Sequence, residues 1–508
     1  MEKIYKNFVS ILASEKFFWG IMIFFIFQAA WIAISANALP FDEQAHFGIT
    51  QLYAHQWSPF FTHQPEGATL YGPVVRDPSY MYHYLMSFPL RIIAHFTSNV
   101  PIQLVGLRLT TVMIFAVGAV IFRRVFLYAK FSRALIHGVF LFLFLIPVVP
   151  YSAANVNYDN FLFPLIGLAL LLTINISRDI QSKKVKINRW VYLFATCVLA
   201  SLTKFTFLPI LLAIACYLLL CLYRAKISLG SKHIYKKLAK NFMSYSYKSR
   251  IFLALLVVLS LGLSFERYGL NMIKYHTPNP QCDVVLSVNA CKSYRPWYRN
   301  YTLAHSTERT PETAIRDESQ GLKLLTYPKY LGSWLNGMLI TAFYAVQGDT
   351  TALPMPLPWA AGVLGVSAGI ILVIYQSRVV LRNNNTLKFL LGVSLLYVSV
   401  LFMYNFIDYM HLGESIGVQG RYLIPVLPFL LLLFAESVRS IFKNIRIRTV
   451  TGHYIKIIGF FALLLMMLQG GGAATYILKS DSTWYWNKSI IIQANQKAQR
   501  TLNAFIIN

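Results

Sequence analysis

The chain has 508 residues, of which 56% are hydrophobic and only 13% charged. A soluble domain cannot bury that much apolar surface, whereas a bundle of membrane helices of ~20 residues each uses it fully. The net charge of +27 would suit nucleic acid, but no nucleic-acid partner is expected, because the basic residues gather in short gaps between apolar runs. Those runs are long and continuous, unlike the alternating short segments of a β-barrel.

The first apolar run, Phe17 to Leu39, follows a short charged start and is too long for a cleaved signal peptide. It leads directly into Pro40-Phe41-Asp42-Glu43-Gln44-Ala45-His46-Phe47. Two carboxylates and a histidine thus stand where the chain leaves its first span, and ionisable groups at that depth call for a reason. If the segment is helical, Asp42 and His46 share a face at i,i+4 and Glu43 points elsewhere. The stretch from Tyr80 to Ile93 is apolar enough to resemble a span. Counting it as one would put Arg123, Arg124, Lys130 and Arg133 outside, against the positive-inside rule, so it reads as a helix lying in the interface.

Later spans then alternate: Val105–Val125, Leu135–Tyr151, Phe161–Asn175, a hairpin over Trp190–Arg224 with its tip near Thr203-Lys204-Phe205, and Ile251–Ser264. Ala360–Tyr375, Phe389–Phe406, Tyr422–Ser437 and Ile457–Leu478 complete a count of eleven. Every basic cluster falls inside, including Lys183, Lys184, Lys186 and Arg189, the group from Arg224 through Lys236, Lys237 and Lys240 to Arg250, and Arg439, Lys443, Arg446 and Arg448. The expected fold is an all-α polytopic membrane bundle forming one domain over residues 1–508. Its outer segments are 40–104, with interfacial helices, a large one over 265–358, and a tail over 479–508. Cys282 and Cys291 in the large outer segment suit a disulfide in an oxidising compartment, or two free thiols. Cys197, Cys216 and Cys221 lie in apolar runs and read as packing residues. Trp297, Tyr298, Trp334 and Trp359 read most simply as aromatic-belt anchors, with sugar stacking as the sharper alternative.

This topology sends the unusual polar groups to one face. Asp42, Glu43 and His46 follow the first span, and Arg76, Asp77 and Tyr82 flank the start of the interfacial helix. Asn157 and Asp159 follow the third span, Lys204 sits at the hairpin tip, and Gln419, Arg421 and Tyr422 precede the tenth. An acid there can take a proton from an attacking hydroxyl, while arginine and lysine can hold a phosphate as it departs. Plainer roles stand beside these. Asn157 and Asp159 can cap the next helix, and Lys204 can snorkel to headgroups. Gly420 beside Arg421 would let a ligand approach the backbone.

An acid motif in the first outer loop of such a bundle resembles the GT-C superfamily of lipid-phosphate-sugar glycosyltransferases, and most closely the bacterial domain-of-unknown-function 2142 family within it. The resembling segments are the Pro40–Phe47 octapeptide, Asn157-Tyr158-Asp159, Thr203-Lys204-Phe205-Thr206, and Gly417-Val418-Gln419-Gly420-Arg421-Tyr422-Leu423-Ile424-Pro425. The resemblance implies Asp42 as catalytic base with Glu43 supporting it. His46, Arg76, Tyr82, Asn157, Asp159, Lys204, Gln419, Arg421 and Tyr422 would then bind substrate, Arg421 and Lys204 gripping the donor's phosphate. It implies a polyprenyl-phosphate sugar as donor, inversion at the anomeric carbon, and an envelope glycan or lipid such as O-antigen as acceptor. The setting would be the bacterial inner membrane, with the site facing the periplasm and membrane lipids around it. The chain reads Asp77-Pro78-Ser79-Tyr80 where such proteins often carry a double proline. Its acids are adjacent and not spaced Asp-x-Asp, so no metal or other cofactor is expected. An O-antigen polymerase or ligase, or a glycan flippase, is the alternative.

Overall fold

The computed structural model describes residues 2–184, 186–225, 239–306, 326–347, 350–382, 384–412, 414–444 and 450–506. Lys236, Lys237, Arg446 and Arg448 lie outside the described residues. The protein is built from helices whose starts are written in the sequence. Ser14 accepts a hydrogen bond from Phe17 N (3.1 Å) and begins Glu15–Ser35. Asn99 caps Val100–Tyr128, with Pro101 in its first turn, and Ser132 caps Arg133–Leu145. Each cap satisfies a backbone donor that the first helical turn leaves open.

Among the described residues, eight helices are long and apolar enough to cross a membrane. They are Glu15–Ser35, Val100–Tyr128, Tyr158–Gln181, Phe205–Arg224, Tyr247–Tyr275, Pro356–Gln376, Asn385–Leu412 and Gly452–Lys479. The expected third span and the first arm of the hairpin fall on the shorter apolar helices Arg133–Leu145 and Ile187–Thr203. The expected tenth falls on Leu427–Asn444, which does not begin at Tyr422. Gly420–Leu423 is a separate 3-10 turn, because Pro425 cannot donate to a helix running through it and disfavours helix just before it. The all-α membrane bundle is therefore the fold, with eight candidate spans and two shorter apolar helices among the described residues.

Two of these helices are broken, and the breaks meet. Arg133–Leu145 stops at Ile146-Pro147 and resumes as Val148–Ala153. Val450–Leu468 stops at Gly470-Gly471-Gly472 and resumes as Ala473–Lys479. Gly472 N donates to Leu145 O (2.8 Å), and the buried Gln28 bridges both breaks, accepting from Ala473 N (2.9 Å) and donating to Phe144 O (3.4 Å). Irregular backbone at this depth persists only where protein satisfies it.

The segments expected outside are more structured than loops. Met81–Phe96, expected in the interface, is not among the helices long and apolar enough to cross a membrane; it packs on Glu43–Ala54 and on Val100–Tyr128. Arg91 donates to Tyr53 O (2.7 Å) and Ala54 O (3.1 Å), closing the end of Glu43–Ala54. The helix expected to end at Ser264 continues to Tyr275 through a π turn, Phe265–Gly269. Its charges are neutralised there: Glu266 pairs with Arg76 (3.2 Å) and with Arg267. Beyond it, Cys282 and Cys291 form a disulfide, and a short antiparallel hairpin pairs Ala345–Gln347 with Thr350–Ala352. Trp334 is buried against Tyr330 and Phe402, its Nε1 donating to Asn405 (3.0 Å), so it is a packing residue and not a belt anchor. The C-terminal tail folds back on the exit of the first span. Asn37 N donates to Trp484 O (3.0 Å), and Trp31 Nε1 to Asn495 Oδ1 (2.9 Å). Immediately after that anchored exit comes the acid motif.

Candidate functional site

Phe41 and Asp42 both adopt left-handed backbone, with φ of 68° and 63°. That conformation is costly for residues with side chains, above all a bulky one, and persists only where the surroundings enforce it. Here the Phe41 carbonyl is held by Asn157 Nδ2 (3.0 Å) and Arg421 Nη1 (3.2 Å), from segments 116 and 380 residues away. The turn ends in the helix Glu43–Ala54 and leaves the Asp42 side chain 66% exposed. Asp42 therefore does not share a face with His46: the helix begins one residue after it.

Glu43 points inward and is fully engaged. Its Oε1 accepts from Arg108 Nε (2.9 Å) and Val156 N (3.1 Å), and its Oε2 from Arg108 Nη2 (2.6 Å) and Leu39 N (3.0 Å). Arg108 is itself wholly buried and also donates to the carbonyls of Ala33 and Ala36. This pair joins the end of the first span, the acid turn, Val100–Tyr128 and the segment before Tyr158. Both oxygens of Glu43, expected among the catalytic groups, are occupied inside the protein, where they brace the acid turn. Arg108 was missed in the sequence, although a lone arginine within an apolar run is itself a signal.

Four charged groups meet in the site, with Asp42 exposed and Arg421, Lys204 and Asp159 largely buried. Arg421 Nη2 stands 3.6 Å from Asp42 Oδ2. Lys204 Nζ bonds Asp159 Oδ1 at 2.6 Å. Tyr422 lies between the two cations: its hydroxyl accepts from Arg421 Nη2 (3.2 Å), and Lys204 Nζ sits 5.0 Å from its ring centre. Lys204 also lies 4.4 Å from the Tyr158 ring, and Arg421 4.3 Å from the Phe41 ring, so both cations are held by aromatic faces. Lys204 is buried and paired, which a snorkelling lysine is not. Asn157 caps the helix as read, accepting from Asp159 N (2.9 Å), and also holds the Phe41 carbonyl. Arg421 Nε, Asp159 Oδ2 and Gln419 Oε1 are buried without a protein partner. Such groups mark places where a ligand or water completes the bonding.

Gly420 lets two backbone segments pack closely. A Cβ there would come within 2.5 Å of Met338 O and 2.7 Å of Ala342 N, so the glycine lets the Arg421 turn press against the helix Thr326–Phe343. Behind the acids, His46 Nδ1 and His83 Nε2 are 2.8 Å apart, with stacked rings. Burial holds His46 well below the usual histidine range, helped by His83, Arg421 and Lys204, and burial brings His83 down to about 3. Both are neutral at pH 7. Tyr82 packs edge-on against both imidazoles, its hydroxyl pushed up by burial. Arg76 is not part of this group, being paired with Glu266. Among the described residues no cluster of three His, Cys, Asp or Glu side chains could hold a metal ion.

The model of a family described as "Predicted membrane protein (DUF2142)" matches residues 76–430, well over half of the chain. The chain belongs to this family. Within the DUF2142 match lie Asn157, Asp159, Lys204, Gln419, Arg421 and Tyr422; the acid turn precedes it. No curated protein matches the chain, and no solved structure does.

Proposed function

We propose that this DUF2142 protein is an inverting glycosyltransferase of the GT-C type, moving a sugar from a polyprenyl-phosphate carrier to an envelope glycan or lipid at the outer face of a bacterial inner membrane. The observation that carries this reading is the pairing of an exposed carboxylate, Asp42, with a buried guanidinium, Arg421, 3.6 Å away. In the reaction Asp42 takes the proton of an acceptor hydroxyl, whose oxygen bonds to the anomeric carbon. The bond from that carbon to the carrier's phosphate oxygen breaks. Arg421 and Lys204, on either side of Tyr422, stabilise the negative charge that the departing polyprenyl phosphate gains. Left-handed backbone at Phe41 and Asp42 supports the reading, since strain of this kind clusters at sites of function.

The test is release of polyprenyl phosphate from a panel of radiolabelled polyprenyl-phosphate sugars by the protein in proteoliposomes. Turnover of at least one donor with an envelope extract as acceptor is expected. Failure of every donor, by protein whose folding is verified, would reject the assignment.

A further inference from the structure

We propose that the end of the bundle carrying the basic clusters holds a second ligand site, a cleft for the phosphodiester headgroup of an acidic phospholipid. The helices Ile187–Thr203 and Tyr247–Ser264 pack together and both begin at this end. Between them lies a cleft of about 350 Å³ whose lining includes Asn188, Tyr192, Tyr245, Lys248, Ser249 and Phe252. It lies at the far end of Ile187–Thr203 from Lys204, about 25 Å away by the rise of a 17-residue helix. It is therefore independent of the glycosyl-transfer reading.

The cleft grades from polar to apolar along the bundle axis. At its mouth the Tyr245 hydroxyl donates to Asn188 Oδ1 (3.0 Å), leaving the Asn188 amide nitrogen as a donor. Asn241 Oδ1 accepts from Ile187 N (2.9 Å), tying the start of Ile187–Thr203 to the segment that precedes Tyr247. Lys248 is exposed, and among the described residues no carboxylate pairs with it; Asp179, at the end of the preceding helix, is taken by Arg189 (2.7 Å). One helical turn further in, Tyr192 follows Asn188 and Phe252 follows Lys248, placing aromatic surface beneath the donors. Phe252 is 56% exposed, and only 11% of the best apolar window of Tyr247–Tyr275 is buried inside the protein. Its flank therefore faces acyl chains. A cation and amide donors at the surface, with apolar walls one turn deeper, match a phosphate joined to an acyl chain. A free phosphate would leave the apolar wall unused.

The experiment titrates the delipidated full-length protein, in neutral detergent, with phosphatidylglycerol, phosphatidylcholine or inorganic phosphate, counting bound molecules by native mass spectrometry. Wild type is expected to hold phosphatidylglycerol in preference to both others. Lys248→Glu and Lys248→Ala should each weaken it about tenfold or more, Phe252→Ala should weaken it without affecting inorganic phosphate, and Lys184→Ala, outside the cleft, should leave it unchanged. Equal binding by wild type and both Lys248 variants overturns the proposal. So does an equal loss in Lys184→Ala, which would mean attraction to basic charge in general, or inorganic phosphate binding as tightly as the lipid.

Discussion

Replacing Arg108 by methionine tests the frame on which the acid turn stands. Arg108 and Glu43 share two hydrogen bonds of 2.9 and 2.6 Å at side-chain exposures of 0% and 1%. Methionine fills similar volume but strands the Glu43 carboxylate inside the protein, held only by Leu39 N and Val156 N. Breaking a buried pair from one side costs about 3–5 kcal/mol. The carbonyls of Ala33 and Ala36 also lose a donor, at about 1–3 kcal/mol each where water cannot replace it. Set against a typical folding stability of about 5–15 kcal/mol, the variant should lose several degrees of thermal midpoint in detergent, read by size-exclusion after heating. Adding Glu43→Gln removes the stranded charge. The double variant should therefore recover about 1–3 kcal/mol relative to the sum of the singles. The reasoning is refuted if Arg108→Met costs no more than Met113→Leu, a substitution on the exposed side of the same helix.

Gly420→Ala should displace the Arg421 turn, because its Cβ meets the backbone of Met338 and Ala342, which cannot rotate away. A loss of about 1–3 kcal/mol is expected, with weakened donor binding, and unchanged affinity would contradict the placement. Gly472→Ala should be at least as costly: the residue has φ 60° and ψ −137°, and a Cβ would strike the Gln28 amide; the thermal midpoint reads it. Acid should loosen the fold through the histidine pair. The folded pKa values of His46 and His83 lie below 6.5, so the unfolded chain binds more protons; their contribution is present above pH 6.5 and falls with pH below it, for His83 until pH nears about 3. For His83 this amounts to about 2 kcal/mol between pH 6.5 and 5. His83→Gln should flatten the decline in midpoint over that range, and an identical slope in the variant would refute the assignment.

Much of the bundle was legible because membrane spans announce themselves by length and apolarity and basic residues by their side. The same logic gathered Asp42, Asp159, Lys204 and Arg421, which the structure brings to one place across nearly 380 residues. What it could not show was depth. Adjacent acids look alike in sequence, yet Asp42 is turned outward by left-handed backbone while Glu43 is buried against Arg108. Spacing rules assume a regular helix, and the helix starts only at Glu43. Arg76 looked like a member of the site because it lies on the same side, but Glu266, 190 residues on, claims it. Trp334 looked interfacial by type alone, and its burial depends on Asn405 and Phe402 from another helix. Pairings of that range follow from packing, which no local pattern encodes.

The most direct measurement is sugar transfer by Asp42→Asn in proteoliposomes, run beside wild type with the same radiolabelled polyprenyl-phosphate sugar. The side chain is 66% exposed and its partner Arg421 keeps its bonds to Phe41 O and Tyr422, so the substitution should leave the protein folded, as a thermal midpoint run in parallel checks. Loss of a general base should lower turnover about 10²–10⁴-fold, with donor affinity retained through Arg421 and Lys204. Transfer at the wild-type rate by the asparagine variant would contradict the account.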